Sequence, residues 1–154
     1  MRRLLLLVPA LLLVLSGCAA TSKGGAAFTE ASVEPGKALV YVYRHDSVSG
    51  EFTPMVTVSG ARSFDLPNLS YAALQVAPGS HRIETDWGKR SQLAPTSNSL
   101  TFEAGRTYYV RVSSGTHDGA LGKAVVFYMS DKTSVQVVER DEAMKSLPQT
   151  KSVR

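Results

Sequence analysis

The side chains able to do chemistry are few, and their spacing argues against most of the chemistry. Histidines stand at 45, 81 and 117, in Arg44-His45-Asp46, Pro78-Gly79-Ser80-His81 and Thr116-His117-Asp118. A zinc ion needs three or four convergent ligands, and none of these histidines has a second ligand close by, so each reads as a turn or strand-end residue. Ser113, Ser114, His117 and Asp118 supply the residue types of a hydrolytic triad. They fall within one loop, however, and no Gly-x-Ser-x-Gly elbow accompanies them. Gly119-Ala120-Leu121-Gly122-Lys123-Ala124 has the wrong glycine spacing for a phosphate loop and lacks Ser or Thr after the lysine. Asn68-Leu69-Ser70 fits a glycosylation acceptor, a three-residue match that says nothing of catalysis. No catalytic residue, metal ligand or cofactor site is expected. The remaining nucleophile is Cys18, the one cysteine in 154 residues.

Its context is specific. Met1-Arg2-Arg3 is a cationic start, and Leu4 to Leu15 is apolar apart from Pro9. As a helix this run would reach about 18 Å, too short for a hydrocarbon core of about 30 Å. Leu15-Ser16-Gly17-Cys18 then closes it. The small residues Ser16 and Gly17 suit a peptidase that reads an extended backbone, and the Cys18 thiol is the atom a lipid transferase would alkylate. The four residues resemble the lipobox of bacterial lipoproteins. The resemblance implies cleavage between Gly17 and Cys18 and a diacylated, N-acylated Cys18. Each buried methylene of such an anchor contributes about 0.8 kcal/mol, so several acyl chains hold firmly where one holds marginally. Ala19 stands where an Asp would resemble an inner-membrane retention signal. The periplasmic face of the outer membrane is the expected location.

Removing residues 1–17 takes the formal charge from +4 to +2. The remaining charges alternate in sign without a basic run, so no nucleic-acid footprint is expected. With Cys18 used as an anchor, no thiol is left for a disulfide. Residues 18–34, centred on Thr21-Ser22-Lys23-Gly24-Gly25-Ala26-Ala27, have the composition of a flexible tether. At about 5–6 Å times the square root of its length, such a tether averages somewhat over 20 Å, enough to hold a domain clear of the head groups. The rest of the chain has room for one domain of roughly 115 residues.

That domain, residues 35–147, alternates apolar and polar positions between turn signals. The pattern predicts a mostly β fold: a single antiparallel β-sandwich of about seven to eight strands with a short C-terminal helix. In Lys37–Arg44, Leu39, Tyr41 and Tyr43 share one face and Ala38, Val40 and Val42 the other, which marks a central strand. Met55–Ser59 places Val56 and Val58 inward, with a turn at Gly60-Ala61. Tyr71–Ala77 and His81–Trp87 read as a hairpin across Pro78-Gly79, the second strand putting Ile83, Thr85 and Trp87 inward. Residues 93–98 read as loop, and Leu100 and Phe102 mark the next strand. Thr107–Ser113 puts Tyr108, Val110 and Val112 inward and Tyr109 and Arg111 outward. After a glycine-rich loop at 114–122, strands Ala124–Ser130 and Ser134–Val138 are joined by Asp131-Lys132. Glu139–Leu147 has helical composition, with Pro148 just beyond and 148–154 as a disordered tail.

Pro35-Gly36-Lys37-Ala38-Leu39-Val40-Tyr41-Val42-Tyr43-Arg44, Asn68-Leu69-Ser70-Tyr71, Pro78-Gly79-Ser80-His81 and Ala104-Gly105-Arg106-Thr107-Tyr108-Tyr109-Val110 carry a further resemblance. Together they resemble a family of small bacterial lipoproteins catalogued as domain-of-unknown-function family 2846. It implies a compact β-sandwich and a lipoprotein context, and brings no catalytic residues. The expectation is therefore a non-enzymatic interaction or envelope-maintenance module, held to the membrane through Cys18 and contacting an envelope protein or cell-wall partner. Tyr109, in register with outward Arg111, is the candidate partner contact. The alternatives are a hydrolase or metal-dependent enzyme using His117 and Asp118, and a carrier of a small ligand.

Overall fold

The computed structural model describes residues 25–46, 52–91, 93–114 and 133–153, and the backbone of 126–130. Nine strands of three or more residues form two sheets, and a two-residue strand near the C-terminus joins the larger one. In chain order they are β1 (Ala38–Arg44), β2 (Met55–Val58), β3 (Ser63–Asp65), β4 (Ser70–Val76), β5 (Gly79–Asp86), β6 (Thr96–Phe102), β7 (Thr107–Ser114), β8 (Val126–Ser130), β9 (Thr133–Val138) and β10 (Lys151–Ser152). The larger sheet runs β10-β4-β1-β7-β9-β8 and the smaller β3-β2-β5-β6. The sandwich and its short C-terminal helix are as the alternation predicts.

Apolar on both faces, β1 is buried along its whole length. Ala38, Val40 and Val42 enter the core between the sheets with Val56, Val58, Ile83, Phe102, Val110 and Val112. Leu39, Tyr41 and Tyr43 enter a second apolar cluster on the outer face of the larger sheet. β4 flanks β1 antiparallel, but β7 flanks it in parallel, and β10 lies parallel to β4. The sandwich is thus mixed rather than wholly antiparallel. Between β1 and β7 the chain visits the smaller sheet twice, as β2–β3 and as β5–β6, with β4 of the larger sheet in between, and this long connection allows it to return in the same direction.

Several expected boundaries move. β4 and β5 are not a hairpin: β4 has β1 on one edge and β10 on the other, so β5 leaves at Pro78-Gly79 for the smaller sheet. Gly79 makes this corner at φ 124°, a region open to glycine and hostile to other residues. Residues 96–98 are not loop but the start of β6, paired from Thr96 opposite Thr85. Their inward side chains are polar and bonded across the sandwich, Thr96 Oγ1 to Thr133 Oγ1 at 2.7 Å and Asn98 Nδ2 to the Val135 carbonyl at 3.4 Å. The helix is only Arg140–Ala143 (α1), after which Lys145 and Ser146 bond back three residues, the tighter 3₁₀ pattern. Ala143 and Leu147 are nonetheless fully buried.

Neither flank is loose where it is described. Through residue 153 the expected tail is structured: Leu147–Gln149 is a 3₁₀ turn, Thr150 is buried, and β10 pairs with β4. The expected tether, over its described residues 25–34, is a strap laid across the outer face of the larger sheet. Ala27 bridges Lys151, and the Ser152 amide donates to the Ala26 carbonyl at 2.8 Å. The Gly25 backbone lies so close to Ser152 that a Cβ would collide with it. Residues 17 and 18 lie outside the described residues, as do His117, Asp118 and the 119–124 loop.

Candidate functional site

Alternation along β1 places Tyr41 and Tyr43 on the outer face, and register brings Tyr71 opposite Tyr43 and Tyr109 opposite Tyr41. The Tyr41 and Tyr109 rings stack at 5.6 Å and 10°. Phe28 of the strap then drops onto Tyr41 and Tyr71, edge-on to both at 5.3 Å. Such pairs contribute about 0.5–1.5 kcal/mol each beyond their buried area. Phe28 is the only aromatic residue in 18–34, a signal the small-residue composition around it obscures.

The phenol groups hold the strap by its backbone and by Glu30. Tyr41 Oη accepts from the Ala31 amide at 2.6 Å, Tyr71 Oη donates to the Ala27 carbonyl at 3.4 Å, and Tyr109 Oη donates to Glu30 Oε1 at 3.2 Å. Gln75 adds two bonds, accepting from the Glu34 amide and donating to the Ser32 carbonyl. Arg140 closes the far side on both Glu30 oxygens, at 3.1 and 2.9 Å. Burial raises the pKa of Tyr41 and Tyr109 above the ordinary phenol value. The Arg140 hydrogen bond, helped by its charge and by Tyr109, lowers that of Glu30.

Tyr109 therefore faces outward from the sandwich as predicted, yet is not a free contact: strap and sheet leave it 5% exposed. Arg111 is also engaged, Nη2 donating to Gln136 Oε1 at 3.1 Å and Nη1 lying 3.6 Å from Glu142. Beside the strap an open groove of about 610 Å³ is lined by Glu30, Arg106, Tyr108, Tyr109, Val137 and Arg140, among others. It is the accessible approach to the residue the sequence singled out.

Because the folded state depresses the Glu30 pKa, its contribution is complete above the ordinary carboxylate range and disappears as pH falls through the lowered value. Acidification through that window should lower the hydrogen-exchange protection factor at Ala31, taken relative to the intrinsic rate at each pH, before those of the core β1 amides fall. Arg140→Gln should weaken the pH dependence, leaving only the part held by Tyr109, and unchanged protection in both experiments would contradict the strap's anchorage.

A second polar cluster closes one end of the sandwich. Arg44, the last residue of β1, is fully buried. Its Nε donates to Asp46 Oδ2 at 2.7 Å, Nη1 to the Phe52 carbonyl at 2.7 Å, and Nη2 to Ser114 Oγ at 3.3 Å, while Cζ lies 4.9 Å from the centre of the Trp87 ring. Ser114 Oγ also donates to Asp46 Oδ2, and Asn68 clamps the Asp46 backbone, accepting from its amide at 2.8 Å and donating to its carbonyl at 3.2 Å. Sequence reasoning passed over this hub, whose signal was a lone arginine closing an apolar strand two residues before an aspartate.

The other expected chemistry disperses. His81 is buried near the start of β5, its ring nitrogens 2.7 Å from the Ser59 and Ala77 carbonyl oxygens. His45 lies at the opposite end, 3.3 Å from Gln149. Ser113 is a buried strand residue bonded to Ser134 across β7 and β9 at 2.7 Å, not an exposed elbow. Among the described residues no three His, Cys, Asp or Glu side chains gather as metal ligands.

Residues 34–130, which take in β1 to β8, match the family described as protein of unknown function DUF2846. No curated protein matches the chain.

Proposed function

Starting from the fact that the chain belongs to the DUF2846 family, we propose that it is a lipid-anchored, non-enzymatic interaction module, held through Cys18 on the periplasmic face of the outer membrane. Leu15-Ser16-Gly17-Cys18 supports the anchor. The observation that carries the module is the strap. The leader does not simply hang from the domain: from Gly25 onward it is bonded into the larger sheet's edge and outer face. Only residues 19–24 then separate Cys18 from the fold. At about 3.3–3.6 Å per residue this stretch spans at most about 25 Å, so the domain stays next to the lipid surface instead of ranging far from it. A partner, an envelope protein or cell-wall polymer, would be met at the groove beside Tyr109, where Arg106 and Arg140 present exposed guanidinium groups.

Cys18→Ala should leave the precursor uncleaved and without fatty acid, read by metabolic labelling and intact mass. Persistent labelling would overturn the anchor. A photocrosslinking side chain at Arg106, at the mouth of the groove, should trap one discrete envelope component in cells. A featureless smear identical to that from a probe at Thr101, exposed on the smaller sheet, would overturn the partner site.

A further inference from the structure

Leu69 is held at φ 56°, the one non-glycine residue with positive φ among those described, and its side chain is 46% exposed. For a branched apolar residue this backbone region is strained, and glycine or asparagine would relieve the strain. The conformation is fixed from both sides: the Leu69 amide donates to Asn68 Oδ1 at 2.9 Å, and its carbonyl accepts from the Lys151 amide at 3.0 Å. An outlier of this kind, stabilised by its neighbours and presenting a bare leucine, is a reason to look for what the leucine meets.

Its surroundings answer that. Lys151 pairs with Ser70, the residue after Leu69, and bridges Ala27, so Leu69 lies where the leader enters the fold. The other large apolar residue exposed among those described, Met55 at 47%, opens β2 at this same end, opposite Asp86 beside Trp87 and hence beside Arg44. Exposed Lys89, Arg90 and Lys151 stand at this end too, with the carboxylates of Asp65 and Asp86 at the foot of the smaller sheet. Apolar tips flanked by long cationic side chains suit the boundary between head groups and acyl chains.

We infer that this end of the sandwich, with Leu69 and Met55 foremost, rests on the lipid surface. The inference depends on the proposed anchor and goes beyond it: residues 19–24 limit how far the domain moves from the membrane, whereas Leu69, Met55 and the cations decide which way it faces. The described leader begins beside Ser152, which pairs with Tyr71 close to Leu69, and a stretch of at most about 25 Å beyond it is long enough to let this end reach the lipid.

The test uses the full processed chain. Cys18 is the only thiol, and acylation would close it, so an introduced cysteine becomes the sole labelling site. Leu69→Cys and Ala104→Cys, the latter in the exposed turn between β6 and β7 at the opposite end, would carry an environment-sensitive fluorophore. The proteins would be reconstituted in vesicles of phosphatidylethanolamine and phosphatidylglycerol containing a lipid-borne quencher. The Leu69 label should shift to the blue and be quenched several-fold more than the Ala104 label. Lys151→Cys gives the same reading where Leu69→Cys disturbs the fold, and adding Leu69→Asn to it should weaken that quenching without lowering the melting temperature. Equal quenching at both ends would overturn the inference, as would a blue shift at Leu69 without lipid quenching, which would indicate a protein partner. Uptake of the thiol probe by the unsubstituted chain would instead show Cys18 free, and both the anchor and the orientation would fall.

Discussion

Arg44→Leu is expected to lower the free energy of unfolding by about 3–5 kcal/mol, the scale found when a buried ion pair loses one partner. The guanidinium and the Asp46 carboxylate are both nearly inaccessible, at 1% and 2% side-chain exposure. Removing the cation leaves the carboxylate in a low-dielectric site without its main counter-charge, a larger loss than the attraction itself contributes. Leucine also vacates the bonds to the Phe52 carbonyl and Ser114 Oγ and the contact over Trp87. Urea unfolding would show a lower midpoint at an unchanged slope. Because an apolar replacement of a whole buried pair can be nearly neutral, Arg44→Leu combined with Asp46→Leu should recover part of the loss. A single-variant loss below about 1 kcal/mol would mean that the pair behaves like an exposed one. The effect also reaches the Leu69 turn, since Asp46 is clamped by Asn68, whose side chain holds the Leu69 amide.

The strands whose faces differ in polarity were legible in the sequence. The alternation of Arg82, Ile83, Glu84, Thr85, Asp86 and Trp87 reads directly as exposed and buried positions. The double-sided apolarity of β1 marks it as central, and its two faces enter two separate clusters. Pairing was less legible, because a turn signal such as Pro78-Gly79 fits a hairpin and a corner between sheets equally well. What decided against a hairpin was the occupancy of both edges of β4, one of them by β10, which lies about eighty residues further along the chain. Polar inward residues misled in the other direction. Thr96 and Asn98 look like loop until a partner on β9 accounts for their hydrogen bonds. The candidate site shows the same limit: period-two reasoning put Tyr109 on the correct face, but could not show that Phe28 and Glu30, far earlier in the chain, would cover it.

Above pH 10 the domain should lose stability with a slope set largely by Tyr43. The Tyr43 side chain is fully buried, and its hydroxyl has no hydrogen-bond partner among the described residues. Burial pushes its pKa up to about 12, against the pull of the Arg111 guanidinium and with a small push from Glu142. The folded pKa lies above the unfolded value of 10, so the folded chain keeps a proton that the unfolded chain releases. Stability is therefore intact below pH 10 and falls as pH rises toward 12. At about 1.4 kcal/mol per pH unit the loss approaches about 3 kcal/mol. Tyr41 and Tyr109, also raised by burial, act in the same direction, so the alkaline transition should release the strap together with the sheet face beneath it. Tyr43→Phe separates the contributions: it should remove the last phenol to ionise in an ultraviolet titration and flatten the stability loss. At neutral pH it should cost little, since the deleted hydroxyl satisfies no described partner. An alkaline slope unchanged in Tyr43→Phe would shift the effect to the strap-bound phenols, and the buried hydroxyl would no longer explain it.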